Sequence, residues 1–189
     1  MRSSEQYSKP FTVAGSSSNK ILIFDIDDTL IHTNATIKVI KDGKVIQELS
    51  PADYNNYEWH EGESFDYSNF DSLFFLQTGV FTPYWNTLKR EYEKGTHIAI
   101  LTARSRPAMI RKFFLKHGVD IKKELIFCCG YSKFPWKGTT QYKKAKSIEH
   151  LMKLGYKIFV FFDDDDNNLK SAKTLETKFP IKIITKHVQ

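Results

Sequence analysis

The sequence predicts an α/β fold, a doubly wound Rossmann-like parallel sheet of about five strands with a small cap inserted after the first. Three observations predict it. Short apolar runs rich in β-formers recur along the chain, segments with helix start and stop signals separate them, and one long interval breaks the alternation.

The runs are Ile21–Ile26, His97–Leu101, Glu124–Cys129, Lys157–Phe162 and Ile181–Thr185. They are continuously apolar rather than alternating, the pattern of parallel strands covered on both faces. Thr82-Pro83 can open a helix through Lys94, with Gly95 as its stop, and Ser105-Arg106-Pro107 can open another that ends at Gly118. A third helix is expected from about Thr140 to Leu154 before Gly155, and a fourth from about Asn167 to Lys178 before Pro180. Strands alternating with helices imply right-handed crossovers.

The interval that breaks the rhythm runs over residues 32–80. Within it Asp42-Gly43 sits between two β-branched runs in Thr36–Leu49, a hairpin signal. The remainder, YNNYEWHEGESFDYSNF, is acidic and aromatic. An insertion at the carboxyl end of a first parallel strand lies over the mouth of the sheet, where ligands bind, and so reads as a cap. Its aromatic residues Tyr54, Tyr57, Trp59, Phe65, Tyr67, Phe70, Phe74 and Phe75 fit a small core of the cap better than a stacking surface for bases.

At 189 residues the chain suits one domain, residues 20–189, preceded by a serine-rich tail over residues 1–19 without periodicity. Adjacent Cys128 and Cys129 cannot bracket a loop and lack zinc-site spacing, so reduced buried thiols and a cytoplasmic setting are expected. No apolar run approaches the about 18 residues of a membrane span. The net charge of +6 conceals an asymmetry, since residues 1–80 carry 6 Lys+Arg against 12 Asp+Glu whereas residues 81–189 carry 22 against 10. The basic second half admits phosphorylated or nucleic-acid ligands, while the insertion, which lacks any lysine or arginine between Lys44 and Lys89, would repel a polyanion.

The chemistry is concentrated where strands end. Asp25 and Asp27 follow the first strand, Thr102 the second, and Asp163-Asp164-Asp165-Asp166 the fourth, so groups remote in sequence are expected in one crevice. Carboxylates so crowded repel one another unless a cation neutralises them. Magnesium fits, because it takes oxygen ligands and keeps positions for water and a phosphate. Arg104, two residues beyond Thr102, can either reach a substrate phosphate or pair with these carboxylates.

FDIDDTL resembles the first motif, DxDx[TV], of the haloacid dehalogenase (HAD) superfamily of phosphohydrolases. IAILT, ending in Thr102, resembles its second motif, and FVFFDD, ending in Asp163-Asp164, its fourth. The third motif is a lysine at the start of the preceding helix, where Lys143, Lys144 and Lys146 compete. Lys144 is favoured because Ile148 and Leu151 follow it at plus four and plus seven on the face expected to be buried. The resemblance implies a magnesium-dependent phosphomonoesterase with Asp25 as nucleophile, Asp27 as proton carrier, and Thr102 and Lys144 on the phosphoryl group. Metal contacts would come from Asp25, the Asp27 backbone carbonyl, Asp163 and Asp164, with Asp163 ranked ahead because it directly follows the strand. Asp165 and Asp166 fit the cap of the next helix. Asp28 stands where many family members have glycine.

The resemblance implies a small phosphate ester or nucleotide as substrate. A 3′-phosphatase acting on nucleic-acid ends is the alternative with the same chemistry, and a HAD-like binding protein without turnover is the alternative from another class. No GxxxxGK[ST] loop occurs, which excludes a fused P-loop kinase. His32, His60 and Trp136 have bland surface or packing readings beside functional ones.

Overall fold

The computed structural model describes residues 19–189. The tail expected over residues 1–19 otherwise lies outside them. In chain order the elements are β1 (Lys20–Phe24), β2 (Ile31–His32), β3 (Ile37–Lys41), β4 (Lys44–Leu49), α1 (Pro51–Asn55), β5 (Glu63–Asp66), α2 (Leu73–Thr78), β6 (Val80–Phe81), α3 (Pro83–Glu93) and β7 (His97–Thr102). There follow α4 (Pro107–Lys116), β8 (Ile126–Cys128), α5 (Thr140–Lys153), β9 (Ile158–Asp163), α6 (Asp166–Lys173) and β10 (Lys182–His187).

The main sheet has five parallel strands in the order β10-β9-β1-β7-β8. From β1 the chain moves outward through β7 and β8, then returns to the other side of β1 as β9 and β10. The direction of winding therefore reverses between β1 and β9, and a crevice opens at their carboxyl ends. Ile21, Ile23, Phe24, Phe159 and Phe161 are fully buried because helices cover both faces. Phe24 and Phe162, paired across the two strands, stack with ring centres 4.5 Å apart. Trp85 of α3 packs on Phe113 and Phe114 of α4, while α5 packs on α6.

Two helices start where the sequence predicts. Thr82 accepts from the Tyr84 N–H and donates to the Thr29 carbonyl at 2.6 Å, which ties the start of α3 to the loop after β1. Thr139 caps α5, whose buried residues are Lys144, Ala145, Ser147, Ile148 and Leu151. The last predicted helix is shorter than expected: α6 ends at Lys173 and continues as a 3-10 turn over Thr174–Thr177. The predicted third strand begins two residues late, because Lys123–Leu125 forms another 3-10 turn.

The insertion is more elaborate than a hairpin. Its hairpin forms as predicted on Asp42-Gly43, both at positive φ (51° and 72°), but β5 adds a third antiparallel strand to give the order β4-β3-β5. β2 and β6 pair at its base. Ile37, Val39 and Leu49 form its core with Tyr54, Tyr57, Phe65 and Phe70, whereas Trp59, Tyr67 and Phe74 are exposed. Among the described residues no helix is long and apolar enough to cross a membrane.

Candidate active site

β1 and β9 run side by side with Phe24 opposite Phe162, so the next residues, Asp25 and Asp163, emerge together at the reversal of winding. The Asp25 N–H donates to the Phe162 carbonyl at 3.0 Å, which holds it in the register of the sheet. Asp25, Asp163 and Asp164 can each bring one carboxylate oxygen within 4.8 Å of the others. Asp25 and Asp163 are buried, and burial of carboxylates needs a compensating charge.

Lys144 supplies part of that charge. Its Nζ lies 2.7 Å from Asp163 Oδ2 and 3.2 Å from Asp25 Oδ1, and all three side chains are almost wholly out of solvent. The other two candidate lysines are engaged elsewhere: Lys143 donates to the Cys129 carbonyl and Lys146 to Glu149. Helix periodicity explains the difference, because Lys144 shares the buried face of α5 with Ile148 and Leu151.

The electrostatics follow from this geometry. Burial raises the Asp25 carboxyl well above the ordinary range, Lys144 opposes that, and Asp163, Asp164 and Asp27 reinforce it. Asp164 is pushed up to about 6 by burial, with Asp163 adding to the effect. Burial alone would depress the Lys144 ammonium, but the charges of Asp163 and Asp25 override it and hold the group well above a normal lysine. Asp25 Oδ1 is buried without a hydrogen bond, its approach to Lys144 being an ion pair only.

Asp163 is the most committed carboxylate. Oδ2 accepts from Lys144, and Oδ1 accepts from the Asp165 N–H at 3.0 Å and from Asn168 Nδ2 at 2.9 Å. Asp164 accepts from the Thr29 hydroxyl at 3.2 Å. Asn168 and Thr29 have no place in the sequence-based site. The available signals were an asparagine in the first turn of a helix facing the crevice and the threonine that closes FDIDDTL. Asp165 caps α6 by accepting from the Asn167 N–H, and Asp166 follows as its first helical residue.

Thr102 ends β7, fully buried, and its hydroxyl oxygen accepts from the Arg104 N–H at 3.2 Å. Arg104 takes the second of its two sequence readings. Its Nε donates to Asp27 Oδ2 at 2.9 Å and its Nη2 to Asp27 Oδ1 at 2.7 Å, a two-pronged pairing that turns the Asp27 carboxylate toward β7. Asp28 adopts a φ of 54°, a left-handed conformation natural to glycine, and pairs with exposed His32 at 2.9 Å. His60 pairs with Glu63 inside the insertion. Trp136 packs against the core with its ring on Phe134. The Cys128 and Cys129 thiols are buried and free, and burial pushes Cys129 up to about 12, which argues against a thiolate nucleophile.

The donor set suits a hard divalent cation. Asp25, Asp163 and Asp164 offer only oxygen, and Asp25 Oδ1 is buried with no hydrogen bond beside its ion pair to Lys144. Neither a family model nor a curated protein matches the sequence. A solved structure, hypothetical protein PH1952 from Pyrococcus horikoshii OT3, is similar at 17% identity with a TM-score of 0.29. The alignment covers 87% of this chain and 40% of that one, so the chain spans less than half its length. Similarity at that level carries no argument about function, which rests on the site itself.

Proposed function

We propose that this protein is a magnesium-dependent phosphomonoester hydrolase of the HAD type, acting on a small phosphate ester or nucleotide through an aspartyl-phosphate intermediate. The observation that carries the reading is the buried Lys144 bridging Asp25 and Asp163 beside Asp164, at the reversal of winding of the sheet. Surface acidic loops do not bury a lysine between two carboxylates, because the desolvation needs a return in function or specificity.

Asp25 attacks phosphorus, and the leaving oxygen takes a proton from Asp27. Water then attacks the phosphoaspartate, the bond from phosphorus to the Asp25 oxygen breaks, and Asp27 accepts the water's proton. Lys144 and the Thr102 hydroxyl stand ready to stabilise charge developing on the phosphoryl oxygens. Asp25, Asp164 and the Asp27 carbonyl would hold magnesium, with Asp163 orienting Lys144 or binding the ion through its remaining electron pairs. When bound, the ion supplies charge neutralisation that lets a carboxylate approach a phosphate.

A small ester is preferred over a nucleic-acid end because the insertion abuts the crevice and carries Glu58, Glu61, Glu63, Asp66 and Asp71 without a compensating Lys or Arg between Lys44 and Lys89. A panel of phosphate esters assayed with magnesium and with EDTA tests the reading. Asp25→Asn is expected to abolish turnover while the far-UV spectrum and the melting transition persist. Retained turnover in that variant would refute the mechanism, and an inert wild type would favour a binding role.

A further inference from the structure

The insertion reaches the crevice through a buried side chain. Arg104, with its side chain wholly out of solvent, spends Nε and Nη2 on Asp27 and Nη1 on the Phe70 carbonyl at 2.6 Å. Its guanidinium carbon also lies 5.2 Å from the centre of the Phe70 ring. Phe70 belongs to the 3-10 turn Ser68–Asp71 and packs against the insertion's own core of Ile37, Val39 and Leu49.

The residues after Arg104 repeat the contact. The Ser105 hydroxyl donates to Asp71, and Arg106 Nε lies 3.5 Å from Asp71 Oδ2. Thr33, near the start of the insertion, adds a long contact of 3.5 Å to Asp27 Oδ1. A continuous path of packed and hydrogen-bonded groups therefore runs from the insertion's core through Phe70 and Arg104 to Asp27.

We propose that Arg104 is a positioning residue through which docking of the Ser68–Asp71 turn prepares Asp27 for the second half of the reaction. The proposal rests on the phosphatase reading, which gives Asp27 its role. In the two-pronged pairing both Asp27 oxygens accept hydrogen bonds, so the direction of the carboxylate is fixed. That direction matters when water attacks the phosphoaspartate: the oxygen–phosphorus bond from water forms, the bond to Asp25 breaks, and the water's proton passes to Asp27. The guanidinium fork fixes the direction of that carboxylate as a lysine's single ammonium cannot. Without the docked turn Arg104 would lose its Phe70 partners, and the Asp27 carboxylate its fixed direction. The docked insertion thus sets the geometry in which Asp27 meets the attacking water.

Rapid-quench kinetics with p-nitrophenyl phosphate test this, because departure of nitrophenolate needs little help from an acid and isolates the later step. In Arg104→Gln, steady-state turnover is expected to fall by at least about tenfold, a part of the roughly 10²–10⁴-fold that a positioned proton acceptor contributes. The first burst of nitrophenol falls far less, so intact protein carrying one phosphoryl group accumulates and is counted by mass spectrometry. Asp71→Asn, which touches neither Asp27 nor Asp25, is expected to shift the partition in the same direction to a smaller degree and to speed hydrogen exchange over residues 68–72. Should Arg104→Gln not fold, Arg104→Lys keeps the charge, loses the fork and serves in its place.

Equal losses in burst and turnover without accumulated phosphoprotein would overturn the proposal. So would an unchanged partition in Asp71→Asn despite faster exchange of the turn. A wild type inert toward the ester sinks the phosphatase reading and this proposal together, whereas an active enzyme with unaltered partition overturns this proposal alone.

Discussion

Replacing Lys144 by methionine removes the cation between two buried carboxylates and leaves the volume of the side chain nearly unchanged. Lys144 Nζ sits 2.7 Å from Asp163 and 3.2 Å from Asp25, with side-chain exposures of 2%, 0% and 9% for the lysine, Asp163 and Asp25. Breaking a buried pair by deleting one partner costs about 3–5 kcal/mol, because the remaining charge is stranded. For a domain of this size each kcal/mol lowers the melting temperature by about 2–4 °C, so a loss on the order of 10 °C is expected. The pH dependence separates this cause from poor packing. Lys144 is held above the normal lysine value, so its stabilising effect is fully present at and below neutral pH and is lost only at strongly alkaline pH. Any variation between pH 8 and pH 5 must therefore come from the carboxylates. Asp25 is raised in the fold, so its penalty is full above its folded value and fades on acidification toward its unfolded value. Without Lys144 it rises further, and the variant's deficit should be largest at pH 8 and shrink toward pH 5. Thermal melts in EDTA measure this, with Asp25→Asn/Lys144→Met expected to recover part of the loss. A deficit below about 1 kcal/mol at pH 8, or one independent of pH, would refute the reasoning.

Two further perturbations follow from the site. Burial pushes Asp164 up to about 6, so below that pH the proposed magnesium would have to displace its proton, and apparent affinity should fall about fivefold between pH 6 and pH 5 on this account alone. Calorimetric titrations across pH 5–8 check this, and a flat affinity would contradict it. A Cβ on Gly130 would clash with the backbone carbonyl oxygen of Ala103. Gly130→Ala should therefore shift the loop that carries Arg104, with a loss of about 1–3 kcal/mol in thermal melts and reduced turnover; a melt identical to wild type would show that the loop yields freely.

The main sheet was legible because parallel strands buried on both faces must be apolar throughout, as in ILIF and IFVFF. The convergence of Asp25 with Asp163 then followed from strand ends alone, and Lys144 from the spacing of Ile148 and Leu151. β5 was hidden because ESFD is short and polar and lies on the edge of a small sheet with both faces partly exposed, so no period-2 pattern develops. The Arg104 pairing was open in the sequence because its choice of partner depends on where the loop after β7 delivers the guanidinium, which is a tertiary quantity. Asn168 was missed for a similar reason: an asparagine near a helix start reads as capping chemistry until Asp163 is seen beside its amide. Asp28 carries the reverse lesson, since its positive φ, a conformation that glycine adopts at less cost, leaves no mark in the residue type.

The charge balance of the crevice links these parts. Asp25, Asp27, Asp163 and Asp164 bring four carboxylates against the two fixed cations Lys144 and Arg104, which leaves two negative charges when all are ionised. The two cations are not equivalent, because Arg104 is spent on Asp27 while Lys144 is shared between Asp25 and Asp163. The excess therefore falls on Asp25 and Asp164, and these are the two whose carboxyls are raised. Protons can meet that excess, and so can one divalent cation bound by oxygen. Only the second leaves Asp25 ionised, as the nucleophilic role proposed above requires. The fixed charges supply half of the neutralisation, and the other half is a physical reason for the proposed ion before any ligand geometry is considered.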